Sequence, residues 1–237
     1  MLDILRDNLN DVRERMAAAC ARCGRKPADV LLVAVTKTVG PAVIRALQLL
    51  GVTDIGESRV QDALSKHEDL GGRPPGAGEG SGLRWHMIGH LQTNKVRDAV
   101  RLFAMIHSLD SLRLAQELDR RAAGQGLCVP VLVECNMSGE GSKTGIAPGA
   151  LLPLLDAVAP LRQVRVQGLM TMAPLVSHAE QARPVFAALR ELAVRARSAS
   201  GLELPHLSMG MSQDFEVAIE EGATLVRVGT ALFRSLH

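Results

Sequence analysis

Hydrophobic residues near the start of the chain recur at three- and four-residue steps, as they do along one face of an amphipathic helix. The positions with this spacing are Leu2, Leu5, Leu9, Val12, Met16 and Cys20. Gly24 and Pro27 follow them, and both residue types commonly end helices. The pattern predicts a helix over residues 1–23 that packs its apolar face against the rest of the domain.

The pattern changes at residue 30, where a continuous apolar run leads to a lysine. Val30–Val35 is rich in valine, which is typical of a strand buried on both faces in a parallel sheet. Side chains alternate along a strand, so Val33, Val35 and Lys37 share one face. We expect Lys37 to leave this strand between apolar walls, where burial favours the neutral amine that attacks carbonyls and forms Schiff bases. A surface lysine at a strand end is the alternative.

The same alternation of apolar runs and helical patterns continues through the chain. The seven further runs lie near residues 52–55, 84–88, 103–107, 128–134, 164–169, 206–208 and 224–228. Alternating strands and helices predict a parallel sheet of the α/β class, and eight βα repeats after one extra helix predict a closed (β/α)8 TIM-type barrel. A doubly wound open sheet is the alternative, but no glycine-rich dinucleotide turn follows the first strand.

The length of 237 residues agrees with a single domain over residues 1–237, because barrels of about 250 residues commonly form one domain. Residues 71–82 are almost entirely glycine, proline and small polar residues and cannot bury a core. We predict a mobile loop there, within the domain.

Composition excludes several classes of function. The chain has no tyrosine, so a mechanism that needs a tyrosine acid or base is excluded. The net charge is +2 and no basic tract is interleaved with aromatic residues, so we expect no nucleic-acid partner. No apolar run approaches the roughly 20 residues of a membrane span, and the first residues do not form a signal region. We expect a cytoplasmic protein without membrane contact.

Cysteine and histidine patterns give little support for a metal site. Cys20 and Cys23 form a CxxC pair, but it lies at the end of a predicted helix and no second pair completes a zinc set. His86 and His90 are four residues apart and lack a third ligand at suitable spacing. We predict ordinary thiols, hydrogen-bonded histidines and no metal.

The carboxyl ends of the predicted strands carry the candidate chemistry, because functional residues of a barrel gather at that mouth. The residues expected there are Lys37, Glu57, Ser58, His90, His107, Asn136, Met170, Ser208 and Gly229. After strands seven and eight, residues 208–212 and 229–230 combine small residues, backbone N–H groups and hydroxyls, which together form an anion site. Ordinary caps and turns are the alternative there.

Arg227 lies on the opposite face of its strand from Val226 and Val228. If the two valines pack against the outer helices, the guanidinium points into the barrel, where it needs a partner. A lysine amine, an anion site and an inward arginine together suit a ligand that has an aldehyde at one end, a phosphate at the other and a hydrogen-bond acceptor between them. Pyridoxal phosphate (PLP) has all three.

Eight segments give the chain a resemblance to the pyridoxal phosphate homeostasis protein family that runs nearly end to end. They are residues 33–37 (VAVTK), 56–61 (GESRVQ), 85–95 (WHMIGHLQTNK), 107–111 (HSLDS), 142–145 (SKTG), 168–172 (GLMTM), 207–214 (LSMGMSQD) and 226–230 (VRVGT). Three positions depart from the family pattern. Ser58 and Arg59 stand where Asn and Tyr are usual, which changes what this loop offers a cofactor, and Met87 replaces Phe, which changes packing.

The resemblance implies a barrel similar to the N-terminal domain of bacterial alanine racemases, with Lys37 holding PLP as a Schiff base. It implies that Arg227 faces the pyridine nitrogen. The other cofactor-binding residues that it implies are Ser58, Met170, Ser208, Ser212, Gly229 and Thr230, the last four at the phosphate. Lys95 and Lys143 are the competing lysines, but a helix beyond the mouth and a polar turn would leave each as a solvated ammonium.

The resemblance implies a carrier of PLP in vitamin B6 homeostasis, a monomer with PLP-dependent apoenzymes as candidate recipients, and not an enzyme with robust turnover. An arginine beside the pyridine nitrogen keeps that nitrogen unprotonated, because two confined positive charges repel each other, and the ring is then a poor electron sink. Racemases of this type use a tyrosine from a second domain, which we do not expect here. A weak PLP-dependent racemase or lyase with Lys37 as base, or a phosphosugar-type barrel enzyme, is the alternative.

Overall fold

The computed structural model describes residues 1–72, 82–139 and 144–236. Within these residues, eight parallel strands close into a barrel in sequence order. They are β1 (Leu31–Val35), β2 (Asp54–Glu57), β3 (Arg84–Met87), β4 (Phe103–Leu109), β5 (Val129–Glu134), β6 (Val164–Met170), β7 (His206–Ser208) and β8 (Leu225–Val228). β8 pairs with β1, where Val33 lies beside Arg227, and this pairing completes the circle. The predicted closed barrel is confirmed.

Helices cover the outside of the barrel. Those described are α1 (Leu2–Arg22), α2 (Pro41–Leu49), α3 (Val60–Asp69), α4 (Val96–Leu102), α5 (Leu112–Ala123), α6 (Leu151–Val158), α7 (Arg183–Ser200) and α8 (Phe215–Glu220). Short 3-10 helices occur at Pro27–Asp29, Thr93–Lys95, Pro148–Ala150 and Ala179–Ala182. Most of the predicted loop over residues 71–82 lies outside the described residues.

The predicted N-terminal helix is confirmed as α1, and it completes the outer ring of helices. Residues 230–235 after β8 form turns in place of a helix. α1 packs against both α8 and α2, which is the position that a helix after β8 would take. The Asn8 side-chain amide donates to the carbonyl oxygens of Leu232 at 3.0 Å and Arg234 at 2.9 Å, so the two ends of the described chain are joined.

The barrel separates two buried layers. The larger one is apolar and fills the space between strands and helices, where Met87 is buried as its packing role predicts. The barrel interior is partly polar. His107 on β4 and Ser208 on β7 belong to strands that are not neighbours, so their 2.8 Å contact crosses this interior. No helix of the described residues is long and apolar enough to cross a membrane.

Candidate functional site

A cleft of about 490 Å³ opens at the carboxyl end of the barrel, a volume within the usual range for small-molecule sites. Its walls come from the ends of β1 and β8, from the segment after β6, and from the segment between β7 and α8. Five of the eight predicted cofactor-binding residues line it, namely Lys37, Ser212, Arg227, Gly229 and Thr230.

Lys37 stands at the rim of this cleft in a turn that follows β1, and it is exposed. The expectation that it is buried between apolar walls is wrong, because the sheet ends one residue before it. Thr36 makes the last sheet bond of the strand, from its N–H to the carbonyl of Gly56 at 3.0 Å, and its own carbonyl then accepts from Val39 to close a turn. The Lys37 amine is therefore accessible to a ligand.

An ion pair between the half-buried Lys66 and the fully buried Glu57 lies directly behind Lys37. Lys66 donates from Nζ to Glu57 Oε1 at 2.8 Å and to the carbonyl oxygen of Thr36 at 2.8 Å. Thr36 Oγ1 donates to the same Glu57 oxygen at 2.6 Å. Glu57 was expected at the mouth, but it is fully buried on the helix side of the sheet, because its neighbour Gly56 takes the face of Val35. The ion pair fixes the peptide group that leads into Lys37.

We expect the Lys66→Met substitution to lower the free energy of unfolding by about 3 to 5 kcal/mol, because it leaves the buried Glu57 carboxylate without its countercharge. Urea denaturation would measure this loss. Lys26→Met, at an exposed lysine, is the matched control and should change stability by less than about 0.5 kcal/mol. Equal stability of the two variants would show that the ion pair does not hold this turn.

An anion cradle lies across the cleft from the turn at Lys37. Ser212 Oγ accepts from the backbone N–H groups of Gly229 and Ala231, both at 3.2 Å, and so ties the segment before α8 to the end of β8. The backbone N–H groups of Ser212, Gln213 and Thr230 donate to no described residue. Unused N–H groups from two converging turns suit an anion such as phosphate.

A glycine makes the tight path of this cradle possible. Gly210 has a φ of +91°, a left-handed conformation that favours glycine. A Cβ there would lie 2.6 Å from the Cβ of Ala218 and 2.9 Å from the Cα of Phe215, so α8 packs directly on the turn. The close packing holds the amides of the cradle in place.

Arg227 points into the barrel as predicted, and it is buried. Its Nη1 donates to Ser208 Oγ at 2.5 Å and its Nη2 donates to the carbonyl oxygen of Thr171 at 2.9 Å. Burial lowers the pKa of the guanidinium to about 10, although Asp214 and Glu134 oppose the shift, so it stays cationic at neutral pH. In the described part of the chain it forms no ion pair, and its remaining N–H groups are available to the cleft.

Three predicted cofactor-binding residues do not line the cleft. Ser208 and Met170 are neighbours in the β6–β7 ladder and are fully buried beneath it. Ser58 is half-buried after β2 and packs on Gly89, where a Cβ would lie 2.4 Å from the Ser58 carbonyl oxygen. Contact of these three with a cofactor stays a prediction.

The other candidates at the mouth are dispersed. His107 is buried inside the barrel, against the expectation that it faces the mouth. His90 is at 3.1 Å from Asp110. Across residues 1–72, 82–139 and 144–236, no group of three or more His, Cys, Asp or Glu side chains is placed to hold a metal. Lys95 is half-buried outside the cleft, and Lys143 lies outside the described residues.

Sequence reasoning missed several parts of the cleft wall, including Phe233, Arg234 and Ser235 in the turns after β8. Pro174, Leu175 and Val176 line it from the segment after β6, and Gln213 lines it beside the cradle. All of these residues follow the carboxyl ends of strands, so the rule that located the other candidates applies to them as well. Their residue types gave no separate signal.

An eight-stranded parallel barrel with an accessible lysine, an anion cradle and an inward arginine at one mouth defines the class of alanine racemase-type barrels. Residues 2–236 match the family model described as alanine racemase, N-terminal domain. A protein of Aquifex aeolicus named pyridoxal phosphate homeostasis protein is 44% identical over 227 residues, which cover 96% of each chain. The chain thus belongs to the pyridoxal phosphate homeostasis protein family.

Two solved structures extend the comparison. PipY of Synechococcus elongatus, solved with PLP bound, has a TM-score of 0.82 and 35% identity, with coverage of 97% of this chain and 99% of PipY. An alanine racemase of Clostridium difficile has a TM-score of 0.71 at 16% identity, which shows the shared fold. This chain covers 56% of that racemase.

Proposed function

We propose that this protein binds PLP reversibly at the cleft and serves PLP homeostasis as a carrier without robust catalysis. One observation carries the proposal: Lys37, the free amides of Ser212, Gln213 and Thr230, and Arg227 line a single cleft. These groups match the aldehyde, the phosphate and the ring nitrogen of PLP. The relative solved with PLP bound, at 35% identity, supports the same ligand.

The residues present suit the cofactor chemically. PLP supplies an electrophilic aldehyde. Lys37 Nζ would attack the aldehyde carbon with loss of its protons, one water would leave as the C=N bond forms, and addition of water would reverse the step. The free amides of the cradle hold the phosphate, and the hydroxyl of Ser212 keeps the two turns together. Reversible attachment is what a carrier requires.

The charge of Arg227 argues against efficient catalysis. A cationic guanidinium beside the ring nitrogen disfavours protonation of that nitrogen, which an effective electron sink needs. The chain also has no tyrosine to act as a second base opposite Lys37. In the same proposal the protein is a cytoplasmic monomer that passes PLP to PLP-dependent apoenzymes.

The proposal is tested by titrating the purified protein with PLP, followed by borohydride reduction and peptide mapping. We expect a Schiff-base absorption band and a label of one PLP per chain on the peptide that contains Lys37. A label on Lys95 or Lys143 would overturn the assigned site. Absence of any band or label would overturn the cofactor.

Incubation of the loaded protein with amino acids tests the carrier role. We expect exchange of PLP with amino-acid amines and with apoenzymes, and no sustained racemisation or cleavage. Sustained turnover that scales with protein concentration would instead make the protein a PLP-dependent enzyme.

A further inference from the structure

A continuous line of hydrogen bonds crosses the barrel interior beneath the cleft. Asp54 Oδ1 is 2.9 Å from His86 Nε2, and His86 Nδ1 is 3.0 Å from His107 Nε2. His107 Nδ1 is 2.8 Å from Ser208 Oγ, which accepts from Arg227 Nη1 at 2.5 Å. All five side chains are buried. We call them the interior relay.

Both ends of the interior relay have a fixed hydrogen-bonding role. Arg227 can only donate. At the other end burial raises the pKa of Asp54, but hydrogen bonds from His86 and Arg84 outweigh burial and hold this pKa well below its usual range. Asp54 is therefore a carboxylate that only accepts. Arg84, with bonds of 2.7 and 2.6 Å, and the Thr53 hydroxyl, with a bond of 3.0 Å, complete the hydrogen-bond shell of Asp54.

If both histidine rings are neutral, the fixed ends determine which ring nitrogens carry the protons. Burial, and after it the proximity of His86, Arg227 and His206, lowers the pKa of His107 well below its usual range, so His107 is neutral. A neutral imidazole has one donor and one acceptor. With protons on Nε2 of both histidines, His86 donates to Asp54, His107 donates to His86, and the Ser208 hydroxyl donates to His107. If the proton of His86 moved to Nδ1, its Nε2 and Asp54 Oδ1 would be two acceptors in contact. If the proton of His107 moved to Nδ1, its Nε2 and His86 Nδ1 would be two acceptors in contact.

We propose that the interior relay positions Arg227 in the cleft, with Asp54, His86, His107 and Ser208 as its positioning residues. Because the Ser208 hydroxyl donates its proton to His107, a lone pair of the Ser208 oxygen is left to accept from the Arg227 guanidinium. Arg227 forms no ion pair in the described part of the chain, so Ser208 and the Thr171 carbonyl are its anchors. The consequence for PLP rests on the proposed function, but the positioning of Arg227 does not.

The interior relay also reaches the opposite end of the barrel. Asp54 lines a second cleft, of about 420 Å³, together with Arg84 and Arg13. That cleft shares no lining residue with the cleft at Lys37. A change at Asp54 is thus expected to act on Arg227 through the buried bonds and not by contact with a ligand at the mouth.

The first test uses nitrogen-15 NMR of the imidazoles in the unmodified, PLP-free protein, which needs no variant to fold. We expect neutral rings protonated at Nε2 for both His86 and His107. A cationic His86, or a proton on Nδ1 of His107, would overturn the relay as proposed.

The second test follows the guanidinium signals of Arg227 in PLP-free variants. His107→Leu removes the acceptor of the Ser208 hydroxyl, and we expect the separate Nη signals of Arg227 to merge as its rotation is freed. His107→Asn offers a side-chain oxygen near the position of Nδ1 and should restore them. His206→Leu is the matched control at a half-buried histidine outside the relay. Unchanged Arg227 signals in folded His107→Leu would overturn the proposal.

PLP titration of the same variants separates this proposal from the proposed function. His107→Leu should bind PLP about tenfold more weakly while still forming the covalent bond at Lys37. Lack of PLP binding by the unmodified protein, with the NMR results as expected, would overturn the function and leave the interior relay standing. If His107→Leu binds PLP with the affinity of the unmodified protein, Arg227 does not need the interior relay to contact the cofactor.

Discussion

Replacing Lys37 by alanine is expected to abolish covalent attachment of PLP while leaving the barrel intact. Lys37 is exposed and forms no hydrogen bond or ion pair with any described residue, so its removal should change the free energy of unfolding by less than about 0.5 kcal/mol. Its amine is the part of the cleft that can form a C=N bond. We expect no borohydride-fixed PLP in the variant by intact-protein mass spectrometry.

Residual binding of PLP to Lys37→Ala should be weak and reversible, because the cradle and Arg227 remain. Lys26→Ala is the matched control, since it removes an exposed lysine next to Pro27, which lines the second cleft at the opposite end of the barrel, and it should label fully. Lys95→Ala tests the competing lysine. Full labelling of Lys37→Ala, or loss of labelling in Lys95→Ala, would move the attachment site away from Lys37.

The barrel was predictable because its signals are local. Each strand is a short apolar run followed by a helical pattern, and the order of such units implies a parallel sheet. The inward direction of Arg227 was also predictable, because its neighbours Val226 and Val228 pack against the helices and side chains alternate along a strand.

The depth of each residue in the barrel was not predictable in the same way. Ser208 and Met170 end their strands, as site residues of a barrel do, yet they lie beneath the cleft. Barrel strands are staggered, so the carboxyl end of one strand lies deeper than the end of another. Sequence alternation reveals the face of a side chain but contains no information on this stagger.

The lack of information on stagger also explains why the exposure of Lys37 and the contacts of the interior relay were not predicted. Alternation placed Lys37 on the face of Val33 and Val35, but whether the sheet extends to it depends on where β2 ends. The contact of His107 with Ser208 joins residues 101 positions apart, and it depends on how far β4 and β7 are displaced along the barrel. Neither the positions of the histidines in the sequence nor their spacing predicts this contact, because it depends on how the strands pair.

At Gly168, strands β6 and β7 approach each other closely, and this close approach is a separate feature from the stagger of the strands. Gly168 lies in β6 beside His206 of β7. A Cβ at this position would lie 1.9 Å from the His206 carbonyl oxygen and 2.7 Å from its carbonyl carbon. Both atoms are backbone within a paired strand, so neither can rotate away as a side chain could.

We therefore expect Gly168→Ala to lower the free energy of unfolding by about 3 kcal/mol or more, because β6 and β7 must separate to admit the methyl group. The next pair in this ladder is Met170 with Ser208, so separation also withdraws an anchor of Arg227 and should weaken PLP binding. Gly149→Ala, where a Cβ meets nothing within 4 Å, is the matched control and should change stability by no more than about 1 kcal/mol. Urea denaturation of both variants measures the difference, and equal midpoints would mean that the two strands do not approach as closely as described.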